Sequence, residues 1–142
     1  GLNLASTQME YSLLDRQIEK SGLMSWCREH GVTVIAYSPI AMGMLSGKYT
    51  PNHPPSGYRA TRFTPAYLEK ITPLITEMKN IGQKHDGKTP SQVALNWVIC
   101  KGAIPIPGAK SVHQLEENAG AQGWRLTEEE IHTLDEVSDR VA

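Results

Sequence analysis

Cysteine and phenylalanine are scarce here: 142 residues hold two Cys and one Phe. Cys27 and Cys100 are too few for a disulfide framework and lack CxxC or zinc-like spacing. Both fall in helix-like segments and read as buried thiols of a reducing compartment. No apolar run approaches the ~20 residues of a membrane span, so no membrane partner is expected. No charge of one sign dominates either. The net charge is −1 with Lys and Arg scattered, which leaves no electrostatic footprint for nucleic acid. The histidines at 30, 53, 85, 113 and 132 form no HExxH and no i, i+4 pair, so no metal site is expected. There is no internal repeat, no low-complexity tract and no secretory signal ahead of the first structured run. A secreted protein is not expected. Gly1, standing where an initiator Met would, leads to the expectation of a processed product or a piece of something longer.

What is present is ordinary globular chemistry arranged with a clear alternation. Short β-rich runs alternate with longer amphipathic helices, which predicts a parallel α/β architecture. Leu4 to Glu10 is the first strand candidate. Glu19 to His30 reads as a helix with Leu23, Trp26 and Cys27 on its apolar stripe and Gly31 as its stop. Val32 to Tyr37 is rich in β-branched residues, as in a strand buried on both faces. A Gly- and Pro-rich loop from Ser38 to Arg62 is too long for a plain connector, and loops of that size are usually functional.

Helix signals then follow in series. Thr64-Pro65 opens a helix running to about Asp86, with Leu74, Ile75, Met78 and Ile81 as its stripe and Pro73 expected to split or kink it. Thr89-Pro90 repeats the signal, with Val93, Ala94, Trp97 and Val98 buried and Gly102 the stop. Ala103 to Pro107 is the third strand, its prolines tolerable only at an end or edge. Ser111 caps a helix through Gly120, and Thr127-Glu-Glu-Glu130 is a capping box for a last helix to Asp139.

Two segments carry chemistry. Gly47-Lys48 hints at a P-loop, but the upstream glycine position holds Met42 and Tyr49 follows the lysine, so the motif fails. The loop from Ala36 to Tyr49, leaving the carboxyl end of a parallel strand, instead suits a diphosphate. Gly43 and Gly47 let backbone approach a ligand, and exposed amides with Ser38 and Lys48 suit phosphate oxygens; an ordinary surface loop is the competing reading. The segment Ile104 to Asn118 is more specific. A strand ends at Gly108, Lys110 follows, and Ser111 caps a helix whose N-terminus can hold an anion. Gln114, Glu117 and Asn118 share one helix face.

At these residues the sequence resembles the aldo-keto reductase family. Gln8-Met-Glu-Tyr-Ser-Leu-Leu14, Tyr37-Ser-Pro-Ile-Ala-Met-Gly43, Thr89-Pro-Ser-Gln-Val-Ala-Leu-Asn-Trp97 and Ile104-Pro-Ile-Pro-Gly-Ala-Lys110 look like successive family signatures in the family's order. The wording of Thr64-Pro65 and Trp124-Arg-Leu126 is most similar to the plant-plastid and cyanobacterial branch, which leaves plastid or cytoplasm open as location. The resemblance implies a (β/α)8 TIM barrel, with this chain as its C-terminal part, strands six to eight and their helices. Residues 1–142 would then be one portion of a single domain whose N-terminal catalytic half is absent. A whole barrel takes roughly 250 residues, and phosphate sites often lie in the loops after its strands seven and eight.

The resemblance also implies NADPH/NADP+ as cofactor. Gln8 would hold the nicotinamide carboxamide and Tyr37 would stack on its ring. Ser38, Pro39, Ile40, Ala41 and Gly43 would line the diphosphate, with Lys48 and Arg59 reaching over from the long loop. Gly108, Lys110, Gln114, Glu117 and Asn118 would receive the 2′-phosphate and adenine. The expected reaction of the whole enzyme is hydride transfer to a small aldehyde or ketone, protonated by a Tyr on an early strand, so no catalytic residue is assigned to this chain. A non-catalytic NADP(H)-binding regulatory module on the same scaffold is the alternative. A partial barrel would expose strand edges, which predicts self-association.

Overall fold

The computed structural model describes residues 3–142, so the reading of Gly1 lies outside the described residues. Three strands, β1 (Ser6–Glu10), β2 (Thr33–Tyr37) and β3 (Ile104–Pro105), form a parallel sheet in the order β1-β2-β3. Gln8 lies opposite Ile35, Glu10 opposite Tyr37, and Ile35 opposite Ile104. The parallel α/β expectation holds. The strands are shorter than the apolar runs suggested, because Leu4 stays outside the ladder and β3 pairs over only two residues.

Seven helices are present among the described residues. They are α1 (Gln17–Lys20), α2 (Leu23–Glu29), α3 (Tyr58–Arg62), α4 (Pro65–Lys84), α5 (Pro90–Cys100), α6 (Val112–Ala119) and α7 (Glu128–Val141). Four begin where the cap signals put them. The hydroxyls of Thr64, Thr89, Ser111 and Thr127 each accept from the backbone N–H three residues on, and Thr89 and Thr127 complete capping boxes with Gln92 and Glu130.

Three expectations about the helices are corrected. The single helix from Glu19 to His30 is two, because Gly22 takes a left-handed φ of 80° between them. Trp26 leaves the apolar stripe: it is 46% exposed and stacks on His30 at 4.2 Å, while Met24 is buried with Cys27. Pro73 does not split α4. The N–H it lacks would have bonded the Glu69 carbonyl, and both residues lie on the solvent face, where water can satisfy that oxygen.

β2 is buried on one face rather than two. Val34 and Ala36 point into the core with Trp97, Val98, Leu74, Met78 and Leu134, so all the covering helices lie on that side. On the other face Gln8, Tyr37 and Ile104 are exposed and Ile35 is half-buried, with Ile106 continuing the uncovered row. The last helix is tied to α1 and to the end of α5 by charge. Arg16 pairs with Glu19, Asp135 and Asp139, Lys101 with Asp135 and Glu19, and the Trp97 indole donates to Asp135 at 2.8 Å. Burial disfavours the Glu19 carboxylate, but hydrogen bonds from Arg16 and Tyr11 and the Lys101 charge win and hold its pKa below the usual range. Burial, reinforced by the bond it donates to Glu19, pushes the Tyr11 phenol above its ordinary value.

Candidate functional site

In a parallel α/β sheet the ligand crevice lies outside the carboxyl ends of the strands. Here β2 and β3 are neighbours, and the segments leaving their carboxyl ends converge on one cleft of about 550 Å³. It is lined by Ser38, Pro39, Ile40, Gly43, Lys48, Arg59, Gly108, Lys110, Gln114, Glu117 and Asn118, eleven of the residues singled out in the sequence.

The first wall is a strained turn. Ser38, Ala41 and Met42 take φ values of 50°, 49° and 54°, and Gly43 takes 93°. Left-handed conformations in non-glycine residues each cost of order 1 kcal/mol or more and persist only where surrounding structure imposes them. A helical turn over Ala41–Ser46 supplies that bracing: the Ser46 hydroxyl donates to the Gly43 carbonyl at 2.6 Å. Gly47 follows at φ 74°, and a Cβ there would press on Pro90 at 3.3 Å, so only glycine lets this turn sit against the start of α5.

Lys48, just after the turn over Ala41–Ser46, and Arg59, on α3, meet at Tyr49. The Lys48 ammonium lies 4.7 Å over the Tyr49 ring, and an Arg59 nitrogen donates to the Tyr49 hydroxyl at 3.4 Å. What little burial the phenol has favours its neutral form, but the two cations prevail and its pKa is lowered. Tyr49 therefore gathers two positive charges at one rim of the cleft.

The second wall is the turn from Gly108 to Ser111 and the helix it opens. The Lys110 amide donates to Gln114 Oε1 at 2.7 Å, and Asn118 Nδ2 donates to the Gly108 carbonyl at 3.4 Å. These amides thus fasten the turn as well as facing the cleft. Glu117 is held in place: its carboxylate accepts from the Thr89 hydroxyl at 3.0 Å and its carbonyl from Gln92 Nε2 at 3.0 Å. A Cβ at Gly108 would meet nothing within 4 Å, so that glycine leaves open space at the cleft rather than a forced turn.

Three expected residues lie elsewhere. Gln8 and Tyr37 stand on the uncovered face of the sheet, two rows apart in the β1–β2 ladder, beside the cleft rather than in its wall. Ala41 borders a neighbouring small hollow with Glu10, Asp15 and Arg62, next to Met42, which lines both. Met42, Ser46, Ser91, Ile106 and Ala109 line the cleft without having been singled out. Ile106 was legible from its alternation with Ile104. Ser91 was legible from connectivity: α5 runs straight into the start of β3, so its first turn must lie level with the strands' carboxyl ends.

Comparison with known proteins matches this arrangement of strands and loops to one group. The model of the "Aldo/keto reductase family" matches residues 1–139. The chain belongs to the aldo-keto reductase family. Among similar aldo-keto reductases, the chloroplastic pyridoxal reductase of Arabidopsis thaliana is 45% identical over 92% of this chain and 35% of its own length. The aldo-keto reductase yakc [NADP(+)] of Schizosaccharomyces pombe is 33% identical over 96% of this chain and 42% of its own. The solved glycerol dehydrogenase of Gluconobacter oxydans superposes with a TM-score of 0.88 over 99% of this chain and 44% of that one, at 27% identity. The chain spans less than half the length of these aldo-keto reductases.

Proposed function

We propose that this chain is the C-terminal part of an NADPH-dependent aldo-keto reductase barrel, contributing strands six to eight, and that its cleft holds the cofactor. The observation that carries the proposal is the convergence of two loops from neighbouring parallel strands on one cleft rimmed by Lys48, Arg59 and Lys110. Three cations suit the diphosphate and a free 2′-phosphate, which needs a counter-charge. An S. pombe relative named for NADP(+) supports the same choice. Bound there, the cofactor would supply hydride to a small aldehyde or ketone.

The chain's own residues bind and orient. The turn over Ser38–Gly43 presents backbone at the diphosphate, Lys48 and Arg59 neutralise it from above, and Lys110 with the capped start of α6 takes the 2′-phosphate. Gln8 and Tyr37, on the uncovered sheet face, would hold and stack the nicotinamide at the barrel mouth. A proton donor would come from the earlier strands, so the catalytic residues lie outside this set. A chloroplastic relative supports a plastid among the two locations considered.

NADPH titration followed by nucleotide fluorescence tests the reading. Lys110→Glu should weaken NADPH at least tenfold and NADH much less, because only the former carries the 2′-phosphate. Equal affinity for NADPH before and after the substitution would remove Lys110 and the NADPH assignment with it.

A further inference from the structure

Lys48 and Arg59 are long, exposed cations at one rim of the cleft, and among the described residues neither forms an ion pair with a carboxylate. Like charges gathered at one rim repel, and each side chain gains rotamer freedom by swinging into solvent. Holding both over the opening therefore needs an anchor. One side chain touches both.

Tyr49 does not line the cleft, yet it contacts three residues that do. Its ring lies 4.7 Å below the Lys48 ammonium, and its hydroxyl accepts from Arg59 at 3.4 Å. A ring carbon stands 3.7 Å from where a Cβ on Gly43 would be, so the ring also abuts the strained turn. The ring itself is fixed. It is half-buried against the core, and directly after it Thr50 and His53 close a turn by exchanging amide bonds at 3.2 and 2.9 Å.

Arg59 has no such support of its own. It stands on α3, none of whose residues is buried. Its bond to Tyr49 is the one side-chain hydrogen bond from α3 to another part of the fold among the described residues. A neutral aromatic anchor also suits an anion site. A carboxylate would hold the two cations more strongly, but it would cancel the charge that a phosphate needs and repel the phosphate itself.

We propose that Tyr49 is a positioning residue: without touching the ligand, it sets Lys48 and Arg59 in place for a diphosphate while leaving their charge free. This inference rests on the nucleotide reading of the cleft and adds the residue that organises its cationic rim. Ordering two flexible side chains beforehand removes that cost from binding, so its effect is read as affinity.

The test is NADPH titration of the intact polypeptide. Tyr49→Phe keeps the ring under Lys48 but removes the acceptor of Arg59, and should weaken NADPH about three- to fivefold. Tyr49→Leu removes both contacts and should weaken it about tenfold. A double-mutant cycle separates positioning from general loosening of the loop. In an Arg59→Ala background Tyr49→Phe should change almost nothing, whereas with Lys110→Glu, on the other wall, it should keep its full factor. If Tyr49→Phe binds NADPH like wild type while Lys110→Glu does not, the Tyr49 assignment falls and the cofactor reading survives. A full Tyr49→Phe effect that persists in Arg59→Ala would mark a structural role and overturn the assignment as well. Wild-type protein that does not bind NADPH would remove both readings together.

Discussion

Asn96 shows how one amide can hold a connection. Its Nδ2 donates to the carbonyls of Ala121 and Trp124, and its Oδ1 accepts from the Leu126 amide at 3.0 Å and from the Cys100 thiol. Removing it strands several buried backbone groups, each costing about 1–3 kcal/mol. Asn96→Leu should therefore destabilise the protein by roughly 2–4 kcal/mol, read as a fall in denaturation midpoint. Gly82 is constrained in another way, since a Cβ there would overlap the Lys88 carbonyl oxygen. Gly82→Ala should cost about 1–3 kcal/mol by overpacking, and an unchanged melting temperature would contradict the close approach. Neither residue is conspicuous in the sequence. Asn96 sits among apolar neighbours of a helix, and its backbone partners lie 25 to 30 positions away. Gly82 lies in the last turn of its helix by pattern, where glycine usually signals a stop rather than a contact.

Elements were more legible than their interiors. Thr64, Thr89, Ser111 and Thr127 marked helix starts because a cap is a local bond between residues three apart. The fate of Pro73 depended on which side of α4 met water, and that is set by packing, not by local signal. Trp26 likewise followed helical spacing but found no core opposite it. The join between α7 and α1 is electrostatic and so depends on pH. Glu19 has a lowered pKa in the fold, so its pairing stabilises fully above the ordinary carboxylate range near pH 4.3 and is lost as pH falls through the lower folded value. Wild type should lose stability on acidification through that window. Glu19→Gln should be less stable at neutral pH, with a shallower acid slope. Parallel slopes in urea-denaturation midpoints against pH would dissociate Glu19 from the effect.

For the whole molecule the decisive feature is a sheet covered on one side. The alternation of strands and helices was readable, and so was the shared end at which the two loops open, because parallel neighbours put their carboxyl ends together. The bare face was not readable. A continuous apolar run looks the same whether its second face meets helices or the lumen of a barrel, and Tyr37, Ile104 and Ile106 are 40%, 53% and 44% exposed. Together with unpaired outer edges on β1 and β3, this face predicts association of the 142-residue polypeptide when it is alone. Sedimentation velocity should show species larger than a monomer that shrink on Ile104→Lys. A single monomeric boundary at high concentration would count against it.

The left-handed run through Ser38, Ala41 and Met42 has a consequence for how such a protein can be improved. Glycine substituted at Met42 would relax the backbone there, so selection for thermal endurance alone should favour it. The same change would let the turn wander when empty, and any ligand of the cleft would first have to freeze it. Heat tolerance and grip should therefore move in opposite directions at this position, a rivalry visible by pairing calorimetry with nucleotide affinity on the one variant.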